Sequence, residues 1–158
     1  MTQAVGNGSL QEGFSAPLAG LIGALTDLER QLTQGLNLAL SEENTTLDQW
    51  RIMEALARLD SPTMGDLAEV SGMANATLSR TVDSLEDAAS AFRLPTVSDR
   101  RRITVHLSDH GTQRLVRVRE IIAAWERSTE GKLGVDDAAA LVAAAHVVTR
   151  RLRAAPGD

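Results

Sequence analysis

The sequence predicts a mainly α-helical protein with one small β-hairpin. Three observations carry this. Apolar residues recur at spacings of three and four along most of the chain, the period of a helix with one buried face. RITVHL (102–107) instead alternates polar and apolar residues, and AFRLPT (91–96) precedes it across a short loop. Between these stretches stand Ser, Thr, Asp, Gly and Pro at positions that start and stop helices.

Residues 1–14, rich in Gly, Gln, Ser and Asn, read as a loose arm with neither the basic n-region nor the apolar h-region of a secretory signal. Pro17 suits a first helical turn. Leu18, Leu21, Leu25, Leu28 and Leu32, supported by Ile22 and Leu36, predict a helix over 17–40 that SEEN (41–44) ends. Thr46 and Gln49 have capping-box spacing. Trp50, Met53 and Ala57, with Ile52, Leu56 and Leu59, make a second helix that Asp60, Ser61 and Pro62 close. Thr63 and Asp66 open a short third helix carrying Leu67, Ala68 and Val70, and Ser71 and Gly72 make a turn. A fourth helix runs from Asn75 to Asp87 with Leu78, Val82 and Leu85 inward.

In the hairpin, Ile103, Val105 and Leu107 are expected on the apolar face, with Arg102, Thr104 and His106 outward. Pro95 confines its strand to an edge. Ser108 caps a fifth helix to about residue 130, carrying Leu115, Val118, Ile122 and Trp125. Gly131 and Gly134 interrupt. Asp136 and Asp137 open a sixth helix that Arg150, Arg151 and Arg153 close, as the helix dipole favours.

Composition narrows the function. The chain has 158 residues and no cysteine, which excludes disulfides and thiolate chemistry. No apolar run reaches the ~18 residues of a membrane span, so a cytoplasmic protein without a membrane partner is expected. His106, His110 and His146 are dispersed, and no Ser/His/Asp set, carboxylate pair or phosphate-binding glycine loop has catalytic spacing. No metal, cofactor or enzymatic activity is expected. The net charge is −5, but it is uneven: residues 93–120 hold seven Arg and three acids, while the rest holds nine basic and eighteen acidic residues. Three of those Arg, at 100, 101 and 102, fall at the hairpin tip.

Short helix, tight turn, short helix and basic hairpin, in that order, make a winged helix-turn-helix. Its turn-flanking helices cover 65–86. Such a module puts the first turns of its second helix against base edges in the major groove. The candidate reading residues are Asn75, Ala76, Thr77, Ser79 and Arg80, with Asp83 on the same exposed face. The candidate wing residues are Arg100, Arg101 and Arg102.

Thr46 to Trp50, Leu67-Ala68, the run from Thr77 to Glu86, Asp99 to Arg101, and Val105 to Gly111 together resemble the MarR family of bacterial transcription regulators. The motifs cover 46–111. The resemblance implies one domain, with a winged-helix lobe at 46–107 and dimerisation helices at 15–40 and 109–153. It implies a homodimer on a pseudo-palindromic duplex DNA operator, responding to a small-molecule effector. It also implies that Asp99 orders the wing and that Arg101 enters the groove. Two departures stand out. Ala89, Ser90 and Ala91 replace the family's Gly and two apolar residues ahead of the wing. Ala74 replaces the usual cap of the reading helix, so Asn75 is expected to cap it instead. The alternative reading is a dimeric helical interaction module whose winged helix no longer binds DNA.

Overall fold

The computed structural model describes residues 18–95 and 103–154. These form α1 (Leu18–Leu40), a 3₁₀ turn (Ser41–Glu43), α2 (Leu47–Arg58), α3 (Met64–Ser71), α4 (Asn75–Asp87), β1 (Ala91–Pro95), β2 (Ile103–Leu107), α5 (Asp109–Leu133) and α6 (Val135–Ala154). The fold is mainly α with one antiparallel hairpin.

The chain divides into two compact units, 1–34 and 35–158. In the first, residues 18–34 are helical, with an Asp27–Arg30 ion pair at 2.8 Å and a Thr33 hydroxyl donating to Glu29. Leu21, Ile22 and Leu25 are exposed.

The second unit holds the core. Leu36 and Leu40 from the last turns of α1 join Ile52, Met53 and Leu56 of α2, Leu67 of α3, and Leu78, Val82 and Leu85 of α4. Val105 of β2 and Leu115, Val118 and Ile122 of α5 complete it. Each such side chain stabilises the fold by roughly 1.5–3 kcal/mol on burial. Helix starts are fixed locally by two capping boxes. Thr46 Oγ1 accepts the Gln49 amide at 3.2 Å while Gln49 Oε1 accepts the Thr46 amide at 3.0 Å. Thr63 and Asp66 repeat the arrangement at 3.3 and 2.8 Å. Gly72, at φ 67°, ends α3 in the left-handed region that the tight turn to α4 requires.

Several local expectations are corrected. In α2 the buried alanine is Ala55, and Ala57 is exposed. Val70 is exposed. Gly131 lies inside α5, and only Gly134, at φ 84°, ends it. The hairpin register is Ala91↔Leu107 through Pro95↔Ile103. Within β2 the expected alternation fails: Ile103 is exposed and Thr104 is buried. The cause is a second neighbour. Thr104 bridges to Thr63, and the Val105 amide donates to the Pro62 carbonyl at 2.9 Å, so the start of α3 covers that side of β2. The Thr104 hydroxyl donates to the Leu94 carbonyl at 3.1 Å, so its burial leaves no unmet polar group.

Candidate nucleic-acid interface

α4 presents its first turn outward. Asn75, Ala76, Thr77 and Arg80 are exposed, and Ser79 is half-buried. Leu78, Thr81, Val82 and Leu85 face the core, and the Thr81 hydroxyl donates to the Thr77 carbonyl. Asn75 is not the cap. Ala74 holds that position in extended backbone and has no side chain with which to bond the first turn; its carbonyl accepts the Thr77 and Leu78 amides. The Asn75 side chain is therefore not spent on capping. Arg80 Nε donates to the Ala76 carbonyl at 3.2 Å, rather than pairing with Asp83 or Ser84. That bond must break before its guanidinium extends away from the helix.

Two contacts hold α4 in place from outside the core. Gln49 Nε2 donates to Ser84 Oγ at 2.9 Å, tying α2 to α4. Arg93 on β1 pairs with Asp83 at 2.8 Å and with Glu86, and Glu86 Oε1 accepts the Arg93 amide at 3.0 Å. The recognition helix and the first wing strand are thus joined by charge as well as by chain. Asp99, Arg100, Arg101 and Arg102 lie outside the described residues.

The lead-in to the wing explains its unusual sequence. Ala89 has φ 51°, the left-handed conformation that glycine adopts without penalty. Ser90 is fully buried, and its hydroxyl accepts from Arg114 Nη1 at 3.1 Å. Arg114 is itself buried, and its Nη2 donates to the carbonyls of Glu43 at 3.1 Å and Asn44 at 2.8 Å. Burial pushes this guanidinium's pKa down. Ser108 closes the same corner: its hydroxyl donates to the Ala89 carbonyl at 2.6 Å and accepts the Gly111 amide at 2.9 Å. Its own amide donates to the Ser90 carbonyl at 3.1 Å.

Ala89→Gly is expected to stabilise the protein by about 0.5–1 kcal/mol. Left-handed backbone costs an L-residue about 1–2 kcal/mol, and the added freedom of glycine in the unfolded chain returns part of that. A higher urea midpoint at unchanged m-value is the expected reading; a lower one would show that the backbone at Ala89 is unstrained.

Residues 43–102 match the model of the MarR family. The matched segment is similar to a MarR-family winged helix. The transcriptional repressor CouR, solved bound to a 23-mer DNA duplex, has a TM-score of 0.78 at 22% identity, covering 90% of this chain and 99% of that one. E. coli MarR in its apo form has a TM-score of 0.69 at 22% identity, covering 84% and 96%. A mutant of the same E. coli protein complexed with operator DNA has 0.72 at 22%, covering 84% and 94%. These proteins share the winged-helix fold of the chain. No curated protein matches it by sequence.

Around the MarR-type lobe, two ion pairs place α5. Arg117 donates to Glu43 at 2.9 Å, and Arg119 donates twice to Glu54 at 2.8 Å. Each guanidinium holds its carboxyl below the usual range. Trp50 adds a hydrogen bond to Glu54 at 3.2 Å. Both Trp50 and Trp125 are half-buried and pack on the core of the MarR-type lobe. No group of three or more His, Cys, Asp or Glu able to hold a metal occurs among the described residues. No described helix is long and apolar enough to cross a membrane. Sequence reasoning missed Arg93 and Arg114 as structural cations. Asp83 and Glu86 are three residues apart and so share a helix face, but nothing in the sequence pointed to Arg93 as their partner.

Proposed function

We propose that this chain is a ligand-responsive transcription regulator that binds a pseudo-palindromic duplex operator as a homodimer in the cytoplasm. The observation that carries this is α4: a helix packed on the core through Leu78, Val82 and Leu85, open at Asn75, Ala76, Thr77 and Arg80, and leading directly into a hairpin whose tip sequence holds three arginines. Half-buried Ser79 is proposed as a further reading residue beside Arg80. Arg101 is the residue proposed to enter the minor groove, where a planar, weakly hydrated cation is favoured, with Arg100 and Arg102 on the backbone and Asp99 ordering the tip.

Support for the dimer comes from uncovered apolar surface. Leu141, Val142, Val147, Val148 and Leu152 of α6 are exposed, as are Leu21, Ile22 and Leu25 of the first unit. A second copy related by a two-fold axis buries such surfaces. The effector acts, in this reading, by binding one lobe arrangement more tightly than another. A helical interaction module that has lost DNA binding is the competing reading. Its support is the altered lead-in to the wing, and Ser90 there has a specific partner in Arg114.

The test is a mobility-shift titration on the gene's own upstream DNA across a salt series, with sedimentation of the free protein. The wild type should sediment as a dimer and retard the DNA, with affinity falling as salt rises. Changing Arg100, Arg101 and Arg102 together to Ala should weaken binding severely and lower the slope of log K against log salt by about 0.9 for each phosphate that the variant no longer neutralises. Thermal stability should be nearly unchanged. Wild-type affinity in the triple variant refutes the wing's role, and no shift at low salt refutes DNA binding.

A further inference from the structure

Residues 75–87 are the helix that the proposed function brings against DNA, yet they carry one basic residue, Arg80, and three acids, Asp83, Glu86 and Asp87. Asp83 lies three residues after Arg80 and seven after Ala76, so it shares their face. Its side chain is 55% exposed. A bare carboxylate on that face meets phosphates of like charge, and like-charge juxtaposition opposes association. Arg93 lies against it. Its Nη2 is 2.8 Å from Asp83 Oδ1, its Nη1 pairs with Glu86 Oε2, and its backbone amide donates to Glu86 Oε1 at 3.0 Å. One cation from β1 thus sits against two of the helix's three acids.

We propose that Arg93 is a positioning residue that masks Asp83 and Glu86 from the DNA backbone, so that an acidic helix can dock on a polyanion. The inference rests on the DNA-binding reading and deepens it: Arg93 offsets much of the repulsion that the two acids would otherwise exert on the phosphates. Two other roles for Arg93 make different demands. As a direct phosphate ligand it would be weakened by its acidic partners. As a purely mechanical clamp it would need those partners charged.

Variants separate the three. The full-length chain is titrated by fluorescence anisotropy against a duplex enriched from a random-sequence pool, over a salt series, with thermal unfolding of each variant as a control. Arg93→Ala is expected to weaken binding about tenfold near 0.1 M salt, less at higher salt. Adding Asp83→Asn and Glu86→Gln to that variant should restore affinity to within about threefold of wild type, because the two sites couple through one interaction. In the wild-type Arg93 background, Asp83→Asn with Glu86→Gln should bind at least as tightly as the unaltered protein.

Failure of the neutralised triple variant to recover, with a salt slope lower by about 0.9, would make Arg93 a phosphate contact and overturn the proposal. Weakening by the Asp83→Asn, Glu86→Gln pair alone would make the acids a clamp and overturn it equally. That second measurement decides the matter even where Arg93→Ala does not fold. Absence of wild-type binding to any duplex overturns the DNA-binding reading, and the masking role with it.

Discussion

Gly111→Ala is expected to destroy the native packing of the winged-helix lobe. Gly111 lies in the first turn of α5, and a Cβ placed there would overlap the Ser90 carbonyl oxygen and stand 2.7 Å from its carbon. Both are backbone atoms, so no side-chain rotation relieves the clash. The Ser90 carbonyl is also fixed by the Ser108 amide, and the Ser90 amide by the Leu85 carbonyl. Moving it breaks the corner that joins α4, the hairpin and α5. The expected loss is at least about 3 kcal/mol, beyond the usual range for overpacking because the obstacle is main chain. Near-ultraviolet circular dichroism and the urea midpoint measure it. Gly131→Ala is the control: that glycine is within α5 with nothing near its would-be Cβ, so alanine should be neutral or stabilising. Equal behaviour of the two variants would show that Gly111 is not sterically required.

Arg114→Ala should cost about 2–4 kcal/mol. A buried charged donor supplies three acceptors: Ser90 Oγ and the carbonyls of Glu43 and Asn44. Each hydrogen bond from a charged group contributes roughly 1.5–3 kcal/mol, and a buried acceptor left without a partner costs about 1–3 kcal/mol. Water entering the vacated space offsets part of the sum. Arg114→Leu paired with Ser90→Ala should be less damaging than the two single losses added together, since a matched apolar pair removes the Ser90 acceptor together with its donor. Strict additivity in denaturant unfolding would show that the two residues act independently.

The chemistry of these two sites also marks how far the sequence could be read. The bounds of α4 follow from the sequence because its stops are local: the turn at Gly72 on one side and the loss of periodicity after Asp87 on the other. The capping boxes at Thr46 and Thr63 are legible for the same reason. Alternation misplaces Thr104 because it assumes one partner strand and one wet face, whereas the segment before α3 covers β2. Asparagine caps well, which favours Asn75 from sequence, but Ala74 already occupies the extended position that a cap must take. Arg114 is invisible. A single arginine beside Leu115 and Val118 reads as a solvated face, and its acceptors are a serine and two carbonyls from distant segments. The tip residues Asp99, Arg100, Arg101 and Arg102 rest on the sequence pattern, since they lie outside the described residues.

The hydrogen bonds of Arg114 have a topological consequence. They join residues 71 and 70 positions apart in the chain, from α5 back to the 3₁₀ turn. Everything that reads or approaches DNA in this proposal, from α2 to β2, is therefore a loop that Arg114 helps to draw shut at its neck, with Arg117 on Glu43 beside it. The entropy of closing a loop grows only with the logarithm of its length, about 0.6 kcal/mol for each doubling. Lengthening the hairpin by several residues then adds almost nothing to the closure cost, while a single change at the neck loosens the whole circuit. Size is cheap in such an arrangement and closure is not. A change in hairpin length thus costs the closure little, and the constraint falls instead on Ser90 at the base of the wing, on Arg114 and on the two carbonyls of the 3₁₀ turn.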